Sequence, residues 1–389
     1  MKVKNKISIV LILLVMMSML VGCSSQNKST AAPIAEAAST TLPTVPEVSV
    51  TESPASEGPE APKTITLTDN VGREVELPYP VETCAVALRY TNELIRACGA
   101  IDKVIAVDLN TAQDRNYWGM FDPNEVIGKS QRELDYEKII SLNPQVLILP
   151  ANGNYEEAIE TLTPFGIEVF VISGYDTDDF ASQCDNIGKM FHVEESAQEF
   201  KNYFLDKLAY IDKQLEGVPE RTYYCESNKD YSAVLPGNTF YRMFELAHGR
   251  NIFAEDAETV NANEMDPEEV LKRNPDVIIK VITPDSARTG TGLYEPPAKE
   301  QFQECYKNIQ SRPGWTDIAA VQNDDIYFMT QFSHGGACKL VGTMYAAKWL
   351  YPDLLPELDP DEVFRAWMED FQGFQNIDGH FWTASDLHS

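Results

Sequence analysis

The sequence predicts an α/β protein of two similar lobes, each with a mainly parallel sheet, joined by one long α-helix. Three observations carry that prediction. Residues 135–149 and 266–280 agree without gaps at six of fifteen positions: Asp, Glu, Asn, Pro, Val and Ile. Each copy reads as a short helix opened by an acid, a turn at Asn-Pro and a buried strand, so the lobes share an architecture. Between the copies, residues 194–215 place Phe200, Phe204, Leu208, Ile211 and Leu215 at steps of four and three, the spacing of an amphipathic helix. At ~1.5 Å per residue that helix reaches roughly 33 Å, about the width of a small domain. Elsewhere short apolar runs alternate with helical patterns, the order of a doubly wound parallel sheet.

The start of the chain stands apart from this fold. Lys2, Lys4 and Lys6 precede an almost wholly apolar stretch, 7–21, which ends at Leu20-Val21-Gly22-Cys23. Residues 1–22 therefore read as a secretory signal, too short and too terminal for a typical membrane span. The Leu-Val-Gly-Cys ending resembles a lipobox, which implies that Cys23 becomes the lipidated first residue. A plain membrane anchor is the alternative, and either way the chain is held outside the cytoplasm. Residues 23–63 are rich in Ser, Thr, Ala, Pro and Glu, cannot bury enough apolar surface to fold, and are expected to form a disordered tether.

The 389 residues leave room for more than one domain, and 43% apolar content is ordinary for globular protein. Residues 1–22 carry three lysines and no acid, so their removal takes the formal charge from −29 to −32. Such a surface repels nucleic acid and anionic headgroups, and no basic run reverses this locally. Six cysteines remain: Cys84, Cys98, Cys184, Cys225, Cys305 and Cys338, without C-x-x-C spacing, which argues against a structural zinc site. Outside the cytoplasm disulfides are open to them, with Cys225–Cys305 the first choice; an anaerobic setting would leave thiols.

The first lobe is expected over 64–175. Residues 64–77 alternate around Asn70-Val71-Gly72 as a hairpin. A strand over 83–88 leads through Arg89 and Tyr90 into a helix, 93–98, ended by Gly99. Strand 104–108 precedes a polar and aromatic loop, 109–123, with Arg115, Tyr117 and Trp118. After the first repeat copy come Tyr155, helix 156–165, strand 167–172 and Tyr175. Ligands of parallel sheets sit at the carboxyl ends of the strands, so these aromatics and arginines are expected on one rim.

A helical bridge, 176–219, holds helix 176–191, the joint residue His192 and the long helix. The second lobe, 220–374, opens with strands 222–226 and 231–236, the latter carrying Tyr231. Helix 240–247 contains Tyr241 and Arg242 and is closed by Gly249. The loop 283–297 is too long and polar for a plain connection and offers Arg288 and Tyr294. Strand 326–329 ends at Phe332 and His334, before helices 339–350 and 361–373. Residues 375–389 are left as an unassigned tail.

These residues resemble a family. Arg89-Tyr90-Thr91-Asn92 followed by Gly99 and by Ile101-Asp102-Lys103-Val104-Ile105-Ala106-Val107 is similar to the opening of periplasmic siderophore- and cobalamin-binding proteins of ABC importers. So are the two Glu…Asn-Pro repeats, Leu246-Ala247-His248-Gly249-Arg250-Asn251, and Arg312-Pro313-Gly314-Trp315 with Ala319-Ala320-Val321. The family has Asp where this chain has Gln145, a departure at a structural turn. The resemblance covers about 64–374 and implies a ligand cleft between the lobes, modest closure about a helical hinge, and no enzymatic activity. It also implies docking onto a permease dimer through one acid per lobe, here Glu137 and Glu268; the plainer reading is that both favour a helix N-terminus. No resident cofactor is expected, and the protein is expected to be a monomer.

The ligand that the resemblance implies is a metal chelate, a ferric siderophore first, with corrinoid or haem as alternatives. Arg89, Arg115, Arg242 and Arg288 suit carboxylates or an anionic chelate. Tyr90, Tyr117, Trp118, Tyr155, Tyr175, Tyr231, Tyr241, Tyr294 and Phe332 suit a macrocycle or aromatic chelating groups. His334 serves either as an exchangeable metal ligand or, preferred, as a hydrogen-bonding neighbour. A tetrapyrrole metal chelatase on a related fold would need a His and a carboxylate poised together, and only His334 and His248 are candidates. An extracellular adhesin is the third class.

Overall fold

The computed structural model describes residues 63–283, 292–375 and 378–388. The expected signal, the tether up to residue 62, the lipidated Cys23 and the contact Arg288 lie outside the described residues.

The hairpin forms as β1 (Thr64–Thr68) and β2 (Glu74–Pro78). Asp69 makes its turn by accepting the backbone N–H groups of Val71 and Arg73 at 3.1 and 2.9 Å, and Gly72 takes the positive φ of 81° that the turn requires. Next come β3 (Cys84–Val86), β4 (Val104–Val107), a small antiparallel pair β5 (Gly128–Ser130) and β6 (Glu133–Leu134), β7 (Val146–Leu149) and β8 (Glu168–Val171). The first sheet runs β4-β3-β7-β8, all parallel.

The second lobe repeats these four strands and adds a fifth at the edge. With β9 (Arg221–Glu226), β10 (Gly249–Asn251), β11 (Val277–Ile282), β12 (Ile326–Thr330) and β13 (Phe381–Thr383), its order is β10-β9-β11-β12-β13, parallel except for β13. In both sheets the first strand lies between the second and the third. Strands β7 and β11 are buried along their whole length because helices cover both sheet faces.

The repeat copies fold alike. Helices Tyr136–Leu142 and Pro267–Arg273 have the same length, and Asp135 and Asp266 cap them by accepting from Lys138 and Glu268 N–H groups. Asn143 and Asn274 end them at φ of 50° and 47°, a left-handed conformation that asparagine tolerates, and the following prolines bar continuation.

Helix Glu194–Gln214 buries Ala197, Phe200, Phe204 and Ile211, the expected stripe. Near its start Ser196 Oγ donates to the Cys98 carbonyl of the first lobe at 2.6 Å. Near its end Asp212 meets His248 of the second at 2.7 Å. One hydrophobic core runs from Val86 and Leu94 of the first lobe through Phe200 and Phe204 to Phe332 and Met344 of the second. No helix among the described residues is long and apolar enough to cross a membrane.

Several expectations are corrected. Residues 231–236 form no strand; Ala233 alone bridges to Glu226, and Tyr231 has φ of 59°. Gly249 does not close a helix but begins β10. The tail belongs to the second lobe: Phe381 stacks on Tyr345 with ring centroids 3.7 Å apart, and Thr383 and Asp386 form a capping box for the turn Ala384–Leu387. The six described cysteines are all thiols. Cys225 points into the core shared with the first lobe, whereas Cys305 packs on the cluster across the sheet, so the sheet itself separates the expected pair.

Candidate functional site

Two parallel sheets joined through one helix present their carboxyl strand ends to each other. The first rim carries Arg89 and Tyr90 after β3, Asp108 to Asp114 after β4, and Ser173 to Tyr175 after β8; the second carries Gln331 to Gly336 after β12. They meet directly. Tyr90 Oη lies 3.0 Å from His334 Nδ1, Lys339 Nζ donates to the Tyr175 carbonyl at 3.0 Å, and Arg242 pairs with Asp178 at 2.7 Å. A Cβ at Gly335 would stand 2.7 Å from the Tyr90 ring, so this approach of the lobes requires glycine.

Beneath the rims lies a buried polar and aromatic layer. Helix Arg89–Ala97 places Glu93 on it, fully buried. The hydroxyl of Tyr294, from the second lobe, donates to Glu93 Oε1, and the Cys338 thiol faces Oε2 at 3.5 Å. Gln372 Nε2 donates to the Glu93 carbonyl at 3.0 Å, and its own Oε1 accepts from Tyr117 Oη at 2.9 Å. The rings of Tyr117 and Tyr294 stack at 3.5 Å and 2°. Arg96 lies over Trp118 at 3.8 Å and over Tyr117 at 5.0 Å.

Burial sets the electrostatics. It pushes the Glu93 carboxyl up to about 7 against the hydrogen bonds from Tyr294 and Cys338, and Asp108 up to about 6 against the bond from Thr111. It pushes His334 down to about 4, helped by Lys339 and Arg89. Among the described residues no group of three His, Cys, Asp or Glu is placed to hold a metal ion.

The expected site residues divide accordingly. Arg89, Tyr90, Tyr175, Arg242 and His334 come together, half-buried, where the rims meet. Tyr117, Trp118, Tyr294 and Phe332 are at most 2% exposed. Tyr117 and Trp118, expected on the rim, instead pack below it, ring against ring, with Tyr294, which in turn meets Phe332. The remaining four are tied up locally. Arg115, exposed, binds the Gly119 carbonyl at 2.9 Å, and Tyr155 lies under Arg73. Tyr231 lies under Arg312, beside the buried Glu226 that Lys280 and Arg312 pair with. Tyr241 has Glu245 and Glu220 near its hydroxyl, Glu220 just before the amino end of β9.

Sequence reasoning missed Glu93, Asp108 and Cys338. An acid inside the apolar run that starts the first helix, and another directly after a buried strand, were the available signals. Glu137 and Glu268 are exposed, one in the first turn of each repeat helix. Neither carboxylate has an ion-pair partner among the described residues.

The sequence profile of the family described as periplasmic binding protein matches residues 87–331. The chain is similar to the uncharacterized ABC transporter substrate-binding lipoprotein YvrC of Bacillus subtilis, 22% identical over 305 residues, which span 75% of this chain and 87% of the relative. It is 24% identical over 205 residues to a vitamin B12-binding protein of Vibrio parahaemolyticus, across 51% of this chain and 70% of that protein. Among solved structures, the TroA-like periplasmic binding protein FepB from Veillonella parvula matches with a TM-score of 0.67 at 19% identity, over 82% of this chain and 99% of that one, a likeness of fold.

Proposed function

Because the chain belongs to the periplasmic binding protein family, whose members bind small ligands, work with a permease and are generally not enzymes, we propose that it captures a metal chelate between its lobes for import by an ABC permease. The observation that carries this reading is the meeting of two equivalent strand-end rims at Arg89, Tyr90, Lys339 and His334. Cationic groups there suit an anionic chelate or carboxylate arms. The proposal includes a signal over 1–22, lipidation at Cys23, a tether to residue 63, and an extracytoplasmic body of two lobes, 64–175 and from 220 onward, around a bridge, 176–219.

A ferric siderophore-type complex is the first ligand proposed. A corrinoid is the second, favoured by the vitamin B12-binding relatives. The test is titration of the purified chain with ferric siderophores, cyanocobalamin and haemin, followed by tryptophan fluorescence. Saturable quenching by one class assigns the ligand. No response to any of them overturns the chelate reading.

A further inference from the structure

The segment 292–296 follows β11 in the second lobe, yet the first lobe grips it in four ways. The Tyr294 ring stacks on Tyr117. Its hydroxyl donates to Glu93. The backbone N–H groups of Leu293 and Tyr294 face the Asp114 carboxylate. The Glu295 carboxylate accepts from Asn116 Nδ2. The second lobe holds it too: His380 Nε2 lies 3.1 Å from the Tyr294 carbonyl, and the Phe332 ring stands edge-on to the Tyr294 ring at 6.3 Å. Leu293 and Tyr294 are 6% and 2% exposed, so the bonds these two make are buried between the lobes, whereas the Asn116–Glu295 bond is exposed.

We propose that segment 292–296 is an internal strap: Tyr294 seats in the first lobe while no ligand is bound, and a ligand enters between the rims only after the strap withdraws. This rests on the solute-binding reading above. Its physical basis is competition for the same groups. With the strap withdrawn, Glu93 and Asp114 lose hydrogen-bond donors and the Tyr117 face loses its stacking partner. Buried acceptors left unpaired are costly, so they must be met again. A ligand with a flat apolar face and amide or hydroxyl donors along its edge would meet them. The strap thus sets a threshold that weak or donor-poor molecules fail to pass.

The test is to lock the strap. Asn116→Cys and Glu295→Cys, in a Cys305→Ser background because Cys305 is the one half-buried thiol among the described cysteines, are oxidised in the ligand-free chain with copper phenanthroline. The introduced thiols lose two protons, and two electrons pass to copper(II) as the disulfide forms. Bond formation without ligand is expected, detected by mass mapping. Kd for cyanocobalamin or ferrichrome should then rise at least tenfold and return to the starting value with dithiothreitol. Tyr294→Ala should bind the same probe several-fold more tightly than the wild type.

A locked chain that binds as well as the reduced one, or introduced thiols that fail to pair in the folded chain, overturns the strap. Weaker binding by Tyr294→Ala overturns it too, by making Tyr294 a ligand contact. If the wild type binds no probe, the chelate reading falls, and the strap stands or falls on bond formation alone.

Discussion

Glu93→Gln should change the slope of stability against pH rather than its level. In the folded chain burial lifts the Glu93 carboxyl from 4.5 to about 7. At about 1.4 kcal/mol per pH unit that is on the order of 3 kcal/mol for a group with no exposure to discount. The folded state holds its proton more tightly than the unfolded chain. The contribution is therefore fully present below about pH 4.5 and lost as pH rises through about 7. Asp108, raised from 3.8 to about 6, acts in the same sense. His334 and His380, both lowered from 6.5 to about 4, act in the opposite one: their contribution is present above about pH 6.5 and lost as pH falls toward 4. The wild type should accordingly show only a shallow dependence between about pH 4.5 and 7. Glu93→Gln removes one side of that balance. Measured by calorimetry and by urea at several pH values, its stability relative to wild type should climb by roughly 3 kcal/mol from about pH 4.5 to 7.5. At about 2 °C per kcal/mol this is a relative shift of roughly 6 °C in Tm. His380→Asn should tilt the profile the other way. A Glu93→Gln difference constant to within about 0.5 kcal/mol across that range would refute the assignment of Glu93 as a buried group that holds its proton near neutrality.

We propose that the permease docks on Glu137 and Glu268: exchanging both for Arg should abolish uptake in cells while leaving the ligand titration unchanged, and persistent uptake would refute that role. Glu226→Ala should destabilise the chain by about 3 kcal/mol in urea unfolding, because it removes the buried counter-charge of Lys280 and Arg312 and leaves them the part-exposed Asp230. Glu226→Gln, which keeps an acceptor of the same shape, should cost less. Alkylation of the reduced and the untreated chain should give the same thiol count at Cys225 and Cys305 once unfolded, and Cys305 should label first in the native state. A mass two units lower for the untreated pair would mean that they cross-link after all.

The sequence revealed most where local chemistry and packing agree. Asp135 and Asp266, Asn143 and Asn274, and the prolines after them fix cap, left-handed stop and strand start within fifteen residues, so the duplication could be read before any fold was known. The long helix was equally plain, since its stripe depends only on spacing. What could not be read was which surface each strand-end ring meets. Tyr90 and Tyr117 both follow strands of the first sheet, yet Tyr90 reaches the seam beside His334 while Tyr117 is covered by Tyr294, more than 170 positions away. No pattern in either neighbourhood encodes that partner. The tail failed for a related reason: Phe381-Trp382-Thr383 is too short to declare itself a strand until β12 offers an edge and Tyr345 a ring.

Each repeat helix has an acid whose work is visible: Asp135 and Asp266 accept backbone N–H groups and so supply the cap. Glu137 and Glu268, two positions on, have no such task. A carboxylate in the first turn still gains about 0.3–1 kcal/mol from the helix dipole, but many residues at that position would do, and nothing within the fold asks for the same acid in both copies. Each repeat helix turns back sharply at Asn-Pro into β7 or β11. Its amino end therefore stands level with the carboxyl ends of the strands, on the side where the rims meet. Two exposed carboxylates at equivalent points of two lobes offer a partner a pair of negative points. Charges so arranged orient a partner of matching spacing more than they tighten its grip. Exchanging the two acids leaves Tyr294 and Glu93 untouched, so docking and ligand entry can be tested as separate steps.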